Sequence, residues 1–186
     1  MFGSWKDSGL MKWSLIGGAI AGGIALVPVL RKKAMRATAI LKKDHRMVSG
    51  LIMTLEMTPK FSGMARKTLF NQIRNSLIIH TQCEEEIFYP AIRNLSFVEE
   101  SGKVDEAYRE HQTVKHFLNQ MSNMDATSDE FDRKLTQLKQ EVQHHVEEEE
   151  NEMFPMATSR MSTERLEDIG EQIHKRKTNL KTQIAA

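Results

Sequence analysis

The sequence predicts an all-α protein, because its composition favours helix and because it contains few helix-breaking residues. Long stretches consist mainly of Leu, Ile, Met, Glu, Lys and Gln, which favour helix, while aromatic residues make up only 6% of the chain. Glycine and proline are scarce after residue 63. At 186 residues the chain is long enough for one domain with a full hydrophobic core. We therefore expect helices throughout the chain after its first thirty residues.

The first two predicted helices meet at two helix-breaking dipeptides. The first helix runs from somewhere after Pro28 to the break at Thr58-Pro59, and Ser62-Gly63 precedes the second. The second helix spans about 64–89. Pro90 is expected to close it, because proline has no N–H to donate to the preceding turn.

The remaining predicted helices have their own start and stop signals. They span about 103–123, about 129–153 and, as a shorter last helix, about 162–182. Ser101-Gly102 opens the first of these, and Ser128 with Asp129 suits the N-cap of the next. Pro155 is expected to close that helix.

Four helices with short connections and one apolar stripe each predict an antiparallel up-down-up-down four-helix bundle. We assign the bundle to residues 40–160, and we expect a C-terminal helix in residues 161–186 to pack on it. An apolar segment in residues 1–30 and a basic stretch in residues 31–39 precede the bundle.

The N-terminal segment carries no charge from Trp13 to Leu30. Its 18 residues would span about 27 Å as a helix, at the lower edge of what crosses a hydrocarbon core. The basic stretch that follows predicts a membrane anchor through residues 13–30 with the bundle on the cytoplasmic side. A cleaved signal peptide, a Gly-rich arm and a soluble cytoplasmic protein are the alternatives. Gly18 and Gly22 have the spacing that lets two such helices associate as a homo-oligomer.

Charge and cysteine content exclude several classes of protein. Lys and Arg number 26 and Asp and Glu 25, so the near-zero net charge argues against a nucleic-acid partner. Cys83 is the single cysteine, which excludes an internal disulfide framework and suits a reducing compartment.

One motif occurs twice in the chain. Residues 80–90 read His-Thr-Gln-Cys-Glu-Glu-Glu-Ile-Phe-Tyr-Pro, and residues 145–155 read His-Val-Glu-Glu-Glu-Glu-Asn-Glu-Met-Phe-Pro. In both copies a Glu follows the His by four positions and a Pro follows it by ten. Residues at i and i+4 lie on the same helix face, so each copy aims an imidazole and a carboxylate at one point.

Each predicted stripe of the bundle also carries one histidine where Leu or Ile is expected. A single histidine on an apolar stripe is usually a satisfied core residue, but four at once favour a shared site. The candidate metal ligands are His45, His80, Glu84, His111, His145 and Glu149. We expect the other three histidines to lie away from this seam: His116, His144 and His174.

Burying the two carboxylates of this set without partners would be costly, and a central cation removes that cost. Neutral imidazole and carboxylate suit Fe or Mn, with Zn also compatible. Six protein ligands are more than one ion normally draws, and two carboxylates placed to bridge indicate a pair of metals.

The motif set resembles that of the hemerythrin-like, or HHE cation-binding, family over about residues 40–180. The similar elements are a first His, two His-x-x-x-Glu motifs that end in Glu-Ile-Phe-Tyr-Pro and Glu-Met-Phe-Pro, and Glu110-His111 between them. The resemblance implies a bundle around two non-haem iron ions (Fe2+/Fe3+), oxo- or hydroxo-bridged, in preference to Mn or Zn. It implies bridging by Glu84 and Glu149, with terminal ligands at His45, His80, His111 and His145.

The sequence departs from the oxygen-carrying hemerythrins at two places. Lys115 stands where they have a second histidine on the third helix, and the fourth-helix motif is His-x-x-x-Glu instead of His-x-x-x-x-Asp. About two metal positions would then be open, against one in the carriers, which predicts a more reactive centre. Another ligand, not identified from the sequence, could close that gap.

Family resemblance implies a di-iron protein that binds or senses oxygen, nitric oxide or a peroxide. The alternative is a di-iron enzyme, a peroxidase or oxidase, or a protein that handles iron or repairs iron centres. A metal-free structural bundle is the third interpretation. The partner expected for the centre is a small diatomic ligand or peroxide.

Overall fold

The structure, a computed structural model, describes residues 35–95 and 98–185. The described residues contain helices and their connections and no strand, so the predicted all-α class is confirmed. The helices are α1 (Ala37–Met57), α2 (Gly63–Cys83), α3 (Tyr89–Arg93), α4 (Val98–Ser122), α5 (Asp129–Glu148), α6 (Phe154–Arg160) and α7 (Thr163–Ala185).

Two π-helical turns join α2 to α3 and α5 to α6, at Glu84–Phe88 and Glu149–Met153. In the first, the Tyr89 N–H donates to the Glu84 carbonyl, five residues earlier. In the second, the Phe154 N–H donates to the Glu149 carbonyl in the same way. Such turns are rare and occur mostly at functional sites. Here each begins at a candidate metal ligand.

The prediction that Pro90 and Pro155 close their helices was wrong. Both prolines lie just after a π-helical turn, and the chain remains helical through them into α3 and α6. Proline within a regular α-helix lacks a hydrogen bond and contacts the carbonyl four residues earlier. The wider turn changes that register, so each proline begins a new helical segment where its missing N–H is tolerated.

The hydrophobic core consists of two apolar clusters, one that includes Leu41 and Cys83 and one that includes Val48 and Leu77. Along each of four helices, a buried polar layer that contains the candidate ligands lies between the two clusters. Helix α1 passes from Leu41 in one cluster, through His45, to Val48 in the other. Helix α2 passes in the opposite order, from Leu77 through His80 to Cys83. Helix α4 repeats the order of α1, and α5 together with the π-helical turn after it repeats that of α2. All four histidines therefore occupy one level of the core.

At the far end of α1, Arg66 links the α1–α2 connection, the α4–α5 connection and helix α5, and its side chain is only 2% exposed. Its guanidinium donates to the Ala126 carbonyl at 2.7 Å, to the Thr58 carbonyl at 2.8 Å and to the Asp132 carboxylate. Because a guanidinium offers five donors in a planar fork, one side chain can bind several partners.

Helix α7 packs on α1 and α2, beside the polar layer. Its buried face lies in the same apolar cluster as Leu41 and consists of Leu166, Ile169, Ile173 and Leu180. Arg176 donates to both oxygens of Glu86, at 2.6 and 2.9 Å, and Lys177 pairs with Asp44. The C-terminal helix thereby contacts residues adjacent to the candidate ligands.

Gly170 lets α7 approach the start of α1, and replacing it is expected to destabilise the protein. A Cβ at Gly170 would lie 1.7 Å from the Met35 carbonyl oxygen, so the backbones would have to move apart. We expect Gly170→Ala to lower the free energy of unfolding by about 1–3 kcal/mol, as overpacking does. Denaturant unfolding of the variant measures this loss.

Gly50, in α1, is the matched control for this substitution. A Cβ there meets nothing within 4 Å, so Gly50→Ala is expected to raise stability by up to about 1 kcal/mol through helix propensity. Equal changes in the free energy of unfolding for the two substitutions would show that the close approach at Gly170 does not affect stability.

Among the described residues, no helix combines the length and apolar character needed to cross a membrane. The predicted anchor in residues 13–30, with its Gly18 and Gly22 spacing, lies outside the described residues. Residues 31–34 of the basic stretch lie outside them as well.

Candidate metal centre

The structure brings all six sequence-predicted ligands together in the polar layer. The His45 Nε2 lies 3.2 Å from the His80 Nε2, and the His111 Nε2 lies 3.2 Å from the His145 Nε2. The four imidazoles thus form two close pairs, each with its Nε2 atoms facing inward. Each pair has the spacing of two ligands that share one ion.

The two carboxylates each contact one histidine of both pairs. Glu84 Oε2 lies 3.1 Å from the His80 Nε2 and 3.4 Å from the His111 Nε2. Glu149 Oε2 lies 3.2 Å from the His45 Nε2 and 3.6 Å from the His145 Nε2. Both carboxylates therefore lie between the two histidine pairs, where they would be able to contact metal held by either pair.

The burial of this layer shows that the donor set fits cations. Glu84 and Glu149 have no exposed surface. Both oxygens of Glu84 and the Oε2 of Glu149 are buried without a hydrogen-bond partner among the described residues. Unpaired carboxylates in a protein interior are strongly destabilising, and a bound cation compensates for them.

Burial has opposite effects on the pKa values of these side chains: it favours the neutral, metal-binding form of two histidines and disfavours the ionised form of Glu84. Burial lowers the pKa of His80 to about 4 and lowers that of His111 as well, so both imidazoles are neutral at neutral pH. Burial, and then the neighbouring Glu149, raise the pKa of Glu84 well above its usual range. Burial would raise the pKa of Glu149 too, but the electrostatic attraction of His145 and the hydrogen bond with His45 outweigh it and lower that pKa.

A ring of outer carboxylates holds the other nitrogen of each histidine. The Nδ1–H groups of His45, His111 and His145 each donate at 2.9 Å, to Glu150, Glu85 and Glu110 respectively. The Nδ1 of His80 lies 3.5 Å from Asp44. An ionised carboxylate can only accept, so these contacts place the proton on Nδ1 and leave the Nε2 lone pair free for a metal.

Each outer carboxylate is the chain neighbour of an inner ligand on the adjacent helix. Asp44 precedes His45 and faces His80, while Glu85 follows Glu84 and faces His111. Glu110 precedes His111 and faces His145. Glu150 follows Glu149 and faces His45, which closes the circle. The four helices are therefore linked pairwise through their histidines.

The outer carboxylates were not predicted from the sequence as partners of the histidines. The available signal was an acidic residue directly beside four of the six candidate ligands, which are His45, Glu84, His111 and Glu149. Lys115, which replaces a carrier histidine, lies outside the inner layer and pairs with Glu85 at 2.6 and 2.9 Å. It neutralises an outer carboxylate, and it does not occupy the place of a ligand.

Removing an outer carboxylate is expected to weaken metal binding without removing a ligand. Glu150→Gln replaces the acceptor for the His45 Nδ1–H and is expected to lower metal affinity about 10- to 100-fold. Competition against a chelator of known affinity measures this change. Glu147→Gln, an exposed site on α5, is the control, and equal affinity in the two variants would contradict the role of Glu150.

Tyr89 is a further member of the inner layer that sequence reasoning missed. Its fully buried hydroxyl donates to Glu149 Oε1 at 3.0 Å and lies 3.1 Å from the His111 Nε2. Burial, and then the nearby carboxylate of Glu149, raise the pKa of this phenol well above its usual range. The signal was its place in the Glu-Ile-Phe-Tyr-Pro motif, five positions after Glu84.

Comparison with known proteins places this site in a family. The model of the hemerythrin HHE cation-binding domain matches residues 36–157. A hemerythrin-like protein of Schizosaccharomyces pombe is 28% identical over 140 residues, which cover 74% of this chain and 67% of that protein. A DNA nickase of Nostoc is 27% identical over 98% of this chain, which spans only about half, 51%, of the Nostoc protein.

The fold is also shared with a solved structure. A hemerythrin HHE cation-binding domain-containing protein from Mycobacterium kansasii has a TM-score of 0.69 and is 23% identical, with 80% of this chain and 88% of that chain covered. At that identity the likeness bears on the fold alone. The family match, however, spans well over half of the chain, including all six candidate ligands. The chain belongs to the hemerythrin HHE cation-binding domain family.

Proposed function

We propose that the protein is a non-haem di-iron protein that binds or senses dioxygen, nitric oxide or a peroxide. One observation carries the proposal: two histidine pairs face each other across two buried carboxylates that each contact both pairs. Imidazole and carboxylate together suit iron better than they suit calcium or magnesium. When bound, iron would supply electron exchange with the ligand.

His45 and His80 would hold one ion, and His111 and His145 the other, with Glu84 and Glu149 between them. The alternating order of the two apolar clusters along α1, α2, α4 and α5 supports an up-down-up-down bundle around this centre. In that arrangement every helix contributes one histidine at the same level, so no loop has to supply a ligand.

The space beside the histidines favours a ligand of two or three atoms. A cavity of about 10 Å³ lies against the four histidines. Its apolar wall consists of Val48, Leu77, Val114, Val142 and Val146. That volume corresponds to about one water-sized molecule, and its apolar wall offers nothing to bind an ionic substrate.

A groove of about 650 Å³ between α1 and α5 gives this cavity a route from solvent. His45, Val142 and Val146 line both the groove and the inner cavity. Gly50 lies along the same groove without a side chain to fill it. A small ligand therefore reaches the His45 side of the centre past two valines.

Tyr89 is the specific observation that favours the second candidate, a di-iron enzyme acting on peroxide. Its hydroxyl proton lies at the inner layer, directed at Glu149, and burial excludes bulk water from it. A buried phenol can hold a proton, or complete the set of ligands, on the side of His111. A reversible carrier has no evident need for such a group.

Spectroscopy of the purified protein with iron bound separates these candidates. The absorbance of the reduced protein is recorded before and after dioxygen, nitric oxide and peroxide, with Tyr89→Phe as the paired variant. A reversible dioxygen spectrum supports binding. Rapid peroxide consumption that Tyr89→Phe slows supports the enzyme. A protein that takes up no iron would refute both.

A further inference from the structure

We propose that Glu110, His144 and Glu148 form a third metal site at the surface, which takes an exchangeable divalent transition-metal ion such as Fe2+ or Mn2+. We call these three residues the outer cluster. They lie outside the six inner candidate ligands, and His144 is one of the three histidines that the sequence predicts to lie away from the apolar seam.

The outer cluster has the dimensions of a metal site. The His144 Nε2 lies 3.3 Å from Glu110 Oε1 and 3.6 Å from Glu148 Oε1. One ligand atom from each residue lies within 4.8 Å of the other two. An imidazole with two carboxylates suits a divalent 3d metal, whereas magnesium and calcium prefer oxygen ligands alone.

The layout of the outer cluster repeats that of the inner centre. His144 and Glu148 are four residues apart on α5, as His145 and Glu149 are, and they lie one position earlier along the helix. The second face of the same helix turn therefore carries a second His-x-x-x-Glu pair. Glu110 contributes the third ligand from the adjacent helix α4.

A second, independent observation points to a ligand in the outer cluster. Glu110 Oε1 is buried and has no hydrogen-bond partner among the described residues, and the side chain is only 11% exposed. Its contact with His144 does not meet hydrogen-bond geometry, so this oxygen is available to a cation. A buried carboxylate oxygen without a partner is destabilising. Glu106, one turn before Glu110, adds a further negative charge near Glu148.

The outer cluster is joined to the inner centre through a single carboxylate. While Glu110 Oε1 faces the cluster, its Oε2 accepts the His145 Nδ1–H at 2.9 Å. His144 is 59% exposed, so an ion can reach the cluster directly from solvent. We infer that iron binds first at the outer cluster and passes from there to the inner centre. This transfer step rests on the proposed function.

A manganese titration tests the site on the full protein after its inner centre has been loaded with iron and counted. Unbound Mn2+ is measured by electron paramagnetic resonance. We expect one additional Mn2+ per chain in the wild type. His144→Gln and Glu148→Gln should weaken its binding by at least the roughly 10- to 100-fold that loss of a ligand's hydrogen-bond partner costs. Both variants should keep the inner iron.

Two exposed positions supply matched controls. Glu147→Gln makes the same charge change one residue away, and His116→Gln removes an exposed imidazole from α4. Both should bind the additional Mn2+ like the wild type. No additional Mn2+ in the wild type, or equal weakening in Glu147→Gln and Glu148→Gln, would overturn the proposal.

The loading rate tests the transfer step separately. Iron uptake by the metal-free protein should be slower in His144→Gln than in His116→Gln, while the final iron content stays the same. Equal uptake rates would overturn the transfer step. A protein that binds Mn2+ through His144 but holds no inner iron would refute the proposed function and leave the outer cluster intact.

Discussion

Removing the metal ions is expected to lower the midpoint of thermal unfolding by about 10 °C or more. An ion held at a concentration about a thousand times its dissociation constant stabilises the folded state by about 4 kcal/mol. For a chain of this size each kcal/mol corresponds to about 2–4 °C. Without the ions, both oxygens of Glu84 remain buried and unpaired. Thermal unfolding followed by circular dichroism, with and without a chelator, measures the difference.

The control for this experiment is a variant that cannot hold the ions. His80→Leu combined with His145→Leu removes one histidine from each pair, so a chelator should leave its unfolding midpoint unchanged. A wild-type midpoint that does not respond to complete removal of metal would mean that the buried carboxylates are compensated in another way.

Glu84→Leu is expected to have opposite effects on the metal-free and metal-loaded protein. In the metal-free protein it replaces a buried, unpaired carboxylate with an apolar group of similar size. We expect it to raise the free energy of unfolding by about 1–3 kcal/mol, because a buried carboxyl group without a hydrogen-bond partner is destabilising by about that amount. In the presence of iron it removes a bridge, so the variant should bind little metal and be less stable than the loaded wild type.

Glu147→Leu is the control for the sign of this effect, because the residue is exposed on α5. It should change the stability of the two forms equally and by about 0.5 kcal/mol or less. If Glu84→Leu destabilised the metal-free protein, the carboxylate would have a structural role independent of metal. That result would weaken the case that Glu84 is retained for metal binding.

The clustering of the six candidate ligands could be predicted from sequence because helix periodicity places each His–Glu pair on one face. The i, i+4 spacing of His80 with Glu84, and of His145 with Glu149, puts each pair on one face without knowledge of the neighbouring helix. The apolar stripe of each helix then aims that face at the core. The family resemblance, carried by the same motifs, named the ligand roles.

The outer carboxylates could not be predicted in the same way, because each acts on a histidine of a different helix. In the sequence Glu85 is only one member of an acidic run. In the fold, the His111 Nδ1 on α4 lies 2.9 Å from the Glu85 Oε1. Tyr89 was missed for a related reason. The π-helical turn before it rotates the helix face, and the sequence offered only Pro90 as a sign of a change.

The prolines and Gly170 show the limit of local rules. Pro90 and Pro155 are strong stop signals in isolation, but a π-helical turn before each one lets the helix continue. Gly170 reads as a weak point in α7, and only the position of the Met35 carbonyl shows why a side chain is excluded there. Both features depend on tertiary contacts that no helical pattern reports.

The metal content of the folded protein tests the central claim most directly. Iron per chain is measured by elemental analysis in the wild type and in the His80→Leu, His145→Leu double variant, with helix content confirmed by circular dichroism. We expect two iron ions per chain in the wild type and the loss of both from the folded double variant. An unchanged ratio of iron to protein in that variant would contradict this expectation.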